Sequence, residues 1–589
     1  MLKLSVKSMM DISEIIKKFA IRNRLKYGMA NEKAIIGMVL ARVPDARKNI
    51  SEVMQAVKET VDEVNNQSAE DIQRELLNHG GSLEQKKKEK KDAGSRGLKL
   101  ENPGKVVMRF APNPSGPLHI GHARAAILNN ELVKKYNGKL ILRIEDTDPK
   151  RVDVAAYKMI ENDLKLLGIN WHEKVLQSER MEIYLEYCKK LIERRYAYVC
   201  CCDEGEFKKL KIKGISCPHR NKTPEENLKL YDDMKTWDEG RGSVKLKTDI
   251  KHKNPAIRDF PIMRVVDKKH PKISEHKIYP LMNFSVATDD HLLGITHVLR
   301  GKDHIINTER QRYIYKYFNW EEPIFIHYGL MKVEEVLSTT DMRKGIEAGK
   351  FAGWDDVGLW TIKSLIRRGI RSDAIKNYIL SLGLKQKDIE FSPENLYAEN
   401  KRIVEPTADR YYFVDNPCKL VVENVPRLKL KIPLHKDYRE RGEREFNFKF
   451  NDCVDTLNFY IQKEDIENLA PGDNMRLMNF IGVKIKGITD EKIISEYIKN
   501  SAGPMVILSN EEKDTSEERE HIVGAKKIQW VYDDRAIKTK ILRVDKTLEG
   551  VCESRCSELK VDDVIQFERI GFCRLDAKND KLVFCFGHR

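Results

Sequence analysis

Two histidines and two glycines stand close together in the segment 109–122. His119 and His122 are three positions apart, so on a helix their imidazoles share one face. Gly116 and Gly121 would let the backbone approach a ligand, and the free N–H groups at the start of a helix attract anions. Such donors suit the negative charge that develops on a phosphate under attack. The alternatives are a capped turn or half of a metal site, and the spacing alone does not choose between them.

A strand and a helix must position this segment. The short apolar run from Val106 to Met108 predicts the strand, and the loop rich in Pro and Gly that follows cannot continue it. Apolar residues at helical spacing predict a helix from about Ile120. The histidines are therefore expected in the first turn of a helix that follows a strand, which is the layout of a nucleotide-phosphate site.

A second apolar run, 140–144, ends at Glu145. A carboxylate at the carboxyl end of a parallel strand faces the ligand crevice of a doubly wound sheet, so we expect Glu145 to accept hydrogen bonds from a substrate ammonium group. The alternative use of this acidic cluster is to cap the next helix through Asp146, Thr147 or Asp148. Both can hold for different residues.

The segment 109–122 reads Arg-Phe-Ala-Pro-Asn-Pro-Ser-Gly-Pro-Leu-His-Ile-Gly-His. It resembles the HIGH signature of class I aminoacyl-tRNA synthetases, in the form found in the glutamyl and glutaminyl branch. The string 143–148, Arg-Ile-Glu-Asp-Thr-Asp, matches a second motif of that branch letter for letter. The resemblance implies a Rossmann-like catalytic domain and assigns ATP binding to Pro112, Asn113, Pro114, Ser115, Gly116, Pro117, Leu118, His119, Ile120, Gly121 and His122. It assigns glutamate binding to Arg109, Ala111, Glu145, Met282 and Arg300.

The stretch 279–304 resembles the second half of the family's nucleotide-binding fold and brings Arg300 to the pocket of Arg109. A planar guanidinium is the natural partner of a carboxylate, although each arginine alone would be interpreted as a surface or stem-packing residue. A neutral glutamine amide would leave Arg300 without a counter-charge, so this residue favours glutamate. Glutaminyl relatives typically lack an arginine there. Met282 stands where many relatives have a tyrosine, so a hydroxyl contact is absent or supplied elsewhere.

The family's mobile KMSKS-type loop, whose lysine neutralises the triphosphate, corresponds here to 336–345, Val-Leu-Ser-Thr-Thr-Asp-Met-Arg-Lys-Gly. The signature lysine is missing, and Asp341 places an anion near the expected phosphate path. Arg343 and Lys344 lie within reach, and we predict that they act with His119 and His122 as the catalytic residues. The alternative is that Arg343 and Lys344 are merely exposed charges.

A cluster of potential metal ligands follows position 199. Cys200 and Cys202, followed by Cys217 and His219, form two pairs that could close a tetrahedral site, so we predict a structural zinc ion. Cys201 is an alternate ligand, and the competing interpretation is a set of ordinary reduced thiols. Members of the family often carry a zinc knuckle here, in the insertion that receives the tRNA acceptor end, and some have lost it.

The composition sets the broad class. A chain of 589 residues predicts three to five domains of roughly 100 to 200 residues each. The formal net charge of +15 suggests contact with a polyanion, although a large enzyme can be basic without one. Eleven cysteines are too sparse for a disulfide scaffold. No apolar run approaches the roughly 18 residues of a membrane span and no signal pattern opens the chain, so we expect a soluble, cytoplasmic protein with no membrane association. We also expect a monomer.

The predicted architecture is multidomain, α/β plus all-β. Three apolar stripes at helical spacing within 10–80 predict a helical bundle. The charged stretch after it predicts a solvated tether that could also touch RNA. Short alternating strands from Tyr411 onward predict one or two β-barrels. The resemblance implies anticodon binding by these barrels. Arg367, Arg368 and Arg371 suggest a basic helical segment along a nucleic-acid stem, or a solvated face. The predicted domains are 1–85, N-terminal helical; 86–100, basic linker; 101–199, catalytic, first half; 200–278, acceptor-end insertion; 279–345, catalytic, second half; 346–410, helical stem-contact segment; and 411–589, anticodon-binding β-barrels.

The resemblance covers nearly the whole chain and identifies it as a member of the archaeal-type glutamyl-tRNA synthetases. It implies ATP with Mg²⁺, L-glutamate and tRNA(Glu), and it leaves open whether tRNA(Gln) is charged as well. Two alternatives stay open. A glutaminyl-tRNA synthetase has the same architecture, and a non-catalytic tRNA-binding scaffold would explain the missing lysine of the KMSKS-type loop.

Overall fold

A computed structural model describes residues 6–27, 29–43, 49–67, 98–101, 103–273, 276–333, 337–450, 455–489, 491–499, 501–503, 505–508 and 525–589. The chain divides into two compact units, Met1–Ala93 and Gly94–Arg589. The predicted linker lies outside the described residues over 86–97, as does position 336 of the KMSKS-type loop. None of the helices in the described ranges is long and apolar enough to cross a membrane.

The first unit contains the three predicted helices, α1 (Val6–Tyr27), α2 (Glu32–Arg42) and α3 (Ile50–Asn66). Helix α3 buries one valine per turn, at 53, 57, 61 and 64, against Ile16, Ile35 and Val39. Each fully buried valine contributes about 1.5–3 kcal/mol relative to an exposed one. The helical prediction for this region is confirmed.

The second unit begins with alternating strands and helices. These are β1 (Val107–Phe110), α4 (Ile120–Lys135), β2 (Lys139–Ile144), α5 (Val154–Leu166), β3 (Glu173–Leu176) and α6 (Met181–Glu193). The three strands pair in parallel in the order β1-β2-β3. All four residues of β1 are buried, as expected for a strand covered on both faces. The segment 111–119 and Glu145 therefore follow the carboxyl ends of neighbouring strands, where ligands bind in such sheets.

An antiparallel insertion separates the two halves of this fold. It comprises β4 (Ala197–Cys200), α7 (Glu204–Lys213), α8 (Pro224–Asp233), β5 (Ser243–Leu246), β6 (Phe260–Val265) and β7 (Ile278–Pro280). The second half follows as α9 (Met282–Leu292), β8 (His297–Gly301), α10 (Ile305–Phe318) and β9 (Ile324–Tyr328), with β8 and β9 parallel. Thr296 joins the halves, since its N–H donates to the Val107 carbonyl (2.9 Å) and its hydroxyl accepts from the Val107 N–H (2.9 Å).

A mainly helical segment comes next, with β10 (Met331–Lys332), α11 (Thr339–Glu347), α12 (Ile362–Arg367), α13 (Ser372–Leu382), β11 (Ile389–Glu390) and α14 (Pro393–Val404). Arg367 binds Asp576 of the distal sheet (Nη2–Oδ2 2.7 Å), and the buried Arg368 donates to the Gly587 carbonyl (3.0 Å). The predicted use of these two arginines on a nucleic-acid stem is therefore wrong, because both guanidiniums are engaged with the C-terminal strands. Arg371 is exposed.

The rest of the chain is almost entirely strands. They are β12 (Arg410–Tyr411), β13 (Phe413–Asp415), β14 (Pro417–Glu423), β15 (Leu428–Pro433), β16 (Glu443–Asn447), β17 (Leu457–Gln462), β18 (Asn474–Leu477), β19 (Gly482–Ile488), β20 (Lys492–Tyr497), β21 (Val506–Leu508), β22 (Lys526–Ile528), β23 (Trp530–Tyr532), β24 (Ile537–Leu542), β25 (Thr547–Cys552), β26 (Val564–Phe567), β27 (Gly571–Lys578) and β28 (Leu582–His588). They alternate buried and exposed residues, as sheets with one solvated face do.

These strands form two seven-stranded sheets and a small third one. The orders are β12-β26-β27-β28-β24-β25-β13, β22-β18-β19-β20-β14-β17-β23 and β16-β15-β21. In each large sheet the two edge strands are neighbours in the chain, separated only by Tyr412 in the first and Gln529 in the second. A sheet whose edges meet in this way is barrel-like. The prediction of β-barrels in this region is confirmed, and the described residues form two such barrel-like sheets.

Candidate active site

A cavity of about 450 Å³ opens at the carboxyl ends of β1, β2 and β8. It is lined by Arg109, Ala111, Pro112, Asn113, His119, Gly121, His122, Arg124, Glu145, Met282, Arg300, Asp303, His304, Tyr328, Met331 and Val333, among others. All five residues predicted to bind glutamate are among them. Of the predicted ATP-binding loop, Pro114, Gly116, Pro117, Leu118 and Ile120 are buried behind the lining, and Ser115 faces a neighbouring cavity.

The two histidines of the HIGH segment begin helix α4 as a mutual cap. His119 is the N-cap, and its Nδ1 accepts a hydrogen bond from the Gly121 N–H (3.0 Å), while His122 Nδ1 accepts from the His119 N–H (3.3 Å). Because a backbone N–H can only donate, each ring must carry its proton on Nε2. Burial lowers the pKa of His119 to about 4, and burial together with His119 lowers the pKa of His122 to about 3. Both rings are thus neutral Nε2–H donors at physiological pH.

The glycines of this segment make room for protein side chains. A Cβ at Gly121 would lie 2.8 Å from the His119 ring, and one at Gly116 would collide with the Thr339 side chain. At Gly116 the space that we expected for a ligand is filled by the Thr339 side chain, so this glycine has a packing role. Gly121, which also lines the cavity, allows the His119 ring to lie over the start of the helix.

Two contacts from distant elements hold the HIGH segment in place. Asp163 of α5 accepts a hydrogen bond from the Leu118 N–H (2.7 Å), and burial raises the pKa of that carboxyl to about 7. On the other side, His119 and Thr361 form an isolated antiparallel bridge, in which the Ile120 N–H donates to the Trp360 carbonyl (3.1 Å). The backbone that carries His119 is therefore fixed by α5 and by the two residues just before α12.

A buried charge network lies behind one wall of the cavity, where Arg109 and Glu145 line it. Arg143 bridges Asp290 (Nη1–Oδ1 2.6 Å) and Glu145 (Nη2–Oε1 3.0 Å), and Arg109 Nε lies 3.3 Å from the same Asp290 oxygen. Burial alone would raise the pKa of Asp290, but Arg143 and Arg109 outweigh it and hold that pKa below its usual range. Burial raises the pKa of Glu145 in spite of the same arginines. The alternative helix-capping role for 146–148 is wrong, since Asp153 caps α5.

Arg300 lies across the cavity and differs from the other arginines of the site. Its Nη2 donates to Thr308 Oγ1 (2.6 Å) and to Gln311 Oε1 (2.8 Å), and both acceptors are neutral. Among the residues that the structure describes, no carboxylate lies within ion-pair distance of Arg300. Burial, followed by the charge of Arg109, lowers its pKa to about 10. A buried cation in this state favours a ligand that brings an anion.

The KMSKS-type loop presents few cations to this cavity. Helix α11 is capped by Ser338, whose hydroxyl binds the Asp341 carboxylate (2.6 Å) and accepts from its N–H (3.1 Å). Arg343 donates to the Ser115 carbonyl (2.6 Å) and pairs with Asp153 (2.8 Å), beside a second cavity, and Lys344 is exposed. Asp341 therefore serves the helix N-terminus, and Arg343 contacts the HIGH segment itself.

The four predicted zinc ligands come together in the insertion. The ligand atoms of Cys200, Cys202, Cys217 and His219 all lie within 4.8 Å of one another, and Cys201 is outside this group. The Cys200 and Cys217 sulfurs are 3.7 Å apart, and Cys202 Sγ lies 3.3 Å from His219 Nδ1. Two thiolates on one tetrahedral zinc ion would be about 3.8 Å apart, so the side chains fit such an ion.

Three buried residues of the site were missed at the sequence level: Arg124, Arg143 and Asp290. Arg143 and Asp290 form a pair across 147 positions of the chain, so no local pattern shows it. The available signal was the guanidinium of Arg143 inside the apolar run 140–144. Arg124 lines the cavity and donates to the Gly329 carbonyl (2.6 Å), which links helix α4 to the residue that follows β9.

Comparisons with known proteins agree with this geometry. Residues 105–405 match the model of the class I tRNA synthetase (E and Q) catalytic domain, and residues 408–501 and 527–576 match two models of the anticodon-binding domain of the same class. The glutamate–tRNA ligase of Methanocaldococcus jannaschii is 48% identical over 584 residues, which is 98% of this chain and 100% of that protein. The ligase of Methanosphaera stadtmanae is 44% identical over 98% of this chain and 100% of its own, and that of Methanopyrus kandleri 42% over 96% and 97%.

A HIGH segment at the carboxyl edge of a parallel sheet, with a KMSKS-type loop packed onto it, defines a class I tRNA synthetase. The chain belongs to the E and Q family of that class, among the glutamate–tRNA ligases of archaeal type. The resemblance drawn from the HIGH segment and the 143–148 string is confirmed.

Proposed function

We propose that the chain activates L-glutamate with ATP and then transfers the glutamyl group to the 3′-terminal adenosine of tRNA(Glu). The observation that carries the proposal is Arg300, a buried guanidinium on the cavity wall whose described partners are neutral. The side-chain carboxylate of glutamate supplies the missing anion, whereas a glutamine amide does not. The names of the relatives support the same substrate.

The charge network orients the amino acid for attack. Glu145 faces the cavity and accepts from the substrate ammonium group, and Arg109 lies near enough to bind a carboxylate of the substrate. Glutamate held between Arg300 and Glu145 directs its α-carboxylate toward His119 and His122. Positioning of this kind supplies much of the rate enhancement when no protein nucleophile is involved.

In the first step an oxygen of the glutamate α-carboxylate attacks the α-phosphorus of ATP. The bond from that phosphorus to the bridging oxygen of the β-phosphate breaks, and glutamyl-adenylate and pyrophosphate form. The Nε2–H groups of His119 and His122 donate to the α-phosphate oxygens as their negative charge grows. Reactions of this class use ATP with Mg²⁺, which neutralises phosphate charge.

In the second step the 2′-hydroxyl of the terminal adenosine attacks the glutamyl carbonyl carbon. The ester forms, the bond to the adenylate oxygen breaks, and AMP leaves with the hydroxyl proton.

We include Arg343 and Lys344 in the proposal as the cations that contact the pyrophosphate as it departs in the first step. Arg343 is supported by its contact with the Ser115 carbonyl of the HIGH segment.

We also propose a structural zinc ion at Cys200, Cys202, Cys217 and His219, which would close the tip of the insertion. The support is the fit of the four ligand atoms to one tetrahedral ion. We expect one zinc ion per chain by atomic absorption, and its loss in Cys202→Ser together with a lower thermal transition. Purified protein that folds and holds no zinc would contradict the site.

An activation assay tests the main proposal. With tRNA present, pyrophosphate exchange is measured with glutamate and with glutamine, and we expect a strong preference for glutamate that Arg300→Gln abolishes. A preference for glutamine would make the chain a glutaminyl enzyme. tRNA that binds and is never charged would make it a scaffold. Charging of purified tRNA(Gln) beside tRNA(Glu) tests a second tRNA substrate, and sedimentation tests the proposed monomer.

A further inference from the structure

The immediate surroundings of Arg300 are neutral on every described side. Thr308 and Gln311 receive its Nη2, and the ring of Phe325 lies 5.2 Å from the guanidinium carbon. Arg300 Nε is buried without a hydrogen-bond partner. Gln311 is fully buried and Thr308 nearly so, so water does not take the place of these contacts.

The two carboxylates whose charges act on Arg300, Asp290 and Glu145, are paired with other arginines. The Asp290 oxygen that accepts from Arg143 at 2.6 Å is the one that Arg109 approaches, and Glu145 pairs with Arg143 at 3.0 Å. Arg300 thus feels Asp290 and Glu145 only at longer range. Its charge has no ion-pair partner among the described residues, although the four other charged side chains, Arg109, Arg143, Glu145 and Asp290, form a paired network.

A further layer fixes the two neutral acceptors in place. The Gln311 amide donates to Asn283 Oδ1 (3.4 Å), and the Asn283 amide donates to Asn307 Oδ1 (3.2 Å). Thr308 Oγ1 lies 2.9 Å from His327 Nε2, and burial lowers the pKa of His327 to about 4, so this ring is neutral as well. The layer offers amides, hydroxyls and a neutral imidazole, and no anion.

We infer that Thr308 and Gln311 are specificity-determining positioning residues, which hold the Arg300 guanidinium without neutralising it and so leave its charge for the side-chain carboxylate of the amino acid. The inference rests on the proposed function. It differs from the role of Arg300 itself, because it assigns discrimination to neutral residues that do not line the cavity. A carboxylate at position 311 would pair with Arg300 in the free enzyme, and an incoming glutamate would then bring a second, unpaired anion into a buried site.

Gln311→Glu is the decisive variant, and Gln311→Met is its control of similar size. In the tRNA-dependent activation assay, we expect Gln311→Glu to raise KM for glutamate on the order of 100-fold, as expected for an unpaired buried charge. KM for glutamine should change far less, so the ratio of kcat/KM for glutamate to that for glutamine collapses. Gln311→Met removes one hydrogen bond and leaves the net charge of the site unchanged. It should keep that ratio, while KM for glutamate rises by about tenfold.

Position 308 supplies an independent arm. Thr308→Val removes the acceptor and should raise KM for glutamate with kcat little changed, and Thr308→Ser should restore KM. The inference is overturned if folded Gln311→Glu, with a thermal transition like the wild type, keeps the wild-type preference for glutamate, or if Gln311→Met shifts the preference as far. A wild-type enzyme that prefers glutamine or activates neither amino acid instead defeats the proposed function.

Discussion

The paired histidines present the same polar atom to the cavity. Each ring has its Nδ1 occupied by a backbone N–H, so the tautomer is set by the start of helix α4 rather than by a titrating neighbour. Gly121 makes this possible by leaving room for the His119 ring. Two uncharged donors can stabilise a growing negative charge without binding ground-state ATP strongly, which favours the transition state.

His119→Ala combined with His122→Ala should slow glutamate activation by several hundredfold, on the order expected from the loss of two charge-stabilising donors. KM for glutamate should stay near the wild-type value, because Arg300 and Glu145 are untouched. Pyrophosphate exchange with saturating tRNA measures the effect. Adenylate formation near the wild-type rate in the double variant would refute the assigned role.

The pH dependence of the same pair has a definite sign. With folded-state pKa values of about 4 and about 3, both rings bind fewer protons than an unfolded histidine below pH 6.5. Stability is therefore lost as the pH falls from about 6.5 toward 4. The His119→Asn and His122→Asn double variant should lose less of its thermal stability over this window, as measured by calorimetry at a series of pH values.

Arg343 is the cation whose contacts bring it to the HIGH segment. Arg343→Gln should raise KM for ATP by about tenfold or more, since a hydrogen bond to a charged group is lost. Arg343→Lys keeps the charge, and its KM for ATP should lie between that of the wild type and that of Arg343→Gln. Lys344→Gln is the matched control, because Lys344 is an exposed neighbour. If Arg343→Gln leaves KM for ATP unchanged, the residue serves only to hold Ser115 and Asp153.

The residue scale also shows what sequence could and could not predict. Motif residues such as Glu145 and Arg300 were found because their types and neighbours match a family pattern, and the structure places both on the cavity wall. Asp290 was missed because its importance depends on Arg143, which is remote in the chain. The contact of Asp341 with the N-cap residue Ser338 was missed as well, because the charge of Asp341 was interpreted only in relation to the phosphates.

At the scale of elements, the HIGH segment depends on helices α5 and α12, which flank it. Asp163 of α5 is nearly fully buried and accepts from the Leu118 N–H, and Thr361, just before α12, pairs with His119. The strand and the helix around the segment could be predicted from local periodicity. These two supports could not, since each is a single contact between residues far apart in the sequence.

Asp163→Asn should make the second unit more stable above neutral pH. Burial raises the folded-state pKa of Asp163 to about 7, so between about pH 4 and 7 the folded protein binds more protons than the unfolded chain, and stability falls as the pH rises. The Asn side chain keeps an acceptor for Leu118 and carries no charge. Calorimetry should show a higher thermal transition than the wild type at pH 8 and little difference near pH 4, and equal transitions at pH 8 would contradict this.

At the scale of the whole molecule, one short helix of the second unit, α12, contacts both the catalytic part and the distal barrel-like sheet. Helix α12 begins next to the residue that bridges His119 and ends at Arg367, which binds Asp576. Asp576 is also bound by Arg574 (3.0 Å). The sequence predicted a helical segment between the catalytic part and the barrels. The partners of its arginines could not be predicted, because they are remote in the chain and are brought close only by the tertiary structure.

The Arg367–Asp576 pair should show coupling in a double-mutant cycle. Arg367→Ala and Asp576→Ala should each lower the free energy of unfolding, and the double variant should lose less than the sum by about 1 kcal/mol, a value reduced for the partial exposure of both side chains. Arg371→Ala is the exposed control and should have little effect. Additive losses would mean that the pair is not a stabilising contact.

The contact between Val107 and Thr296 has a consequence for how the chain is made. These residues are separated by 189 positions, and the antiparallel insertion lies between them. At about 5–20 residues per second, a ribosome needs roughly ten to forty seconds to deliver Thr296 after Val107 has been made. During that interval β1 has an unsatisfied edge on one side while β2 can already cover the other. A chaperone that shields a bare strand edge would therefore act on this polypeptide before its second half emerges, and before the amino-acid pocket exists.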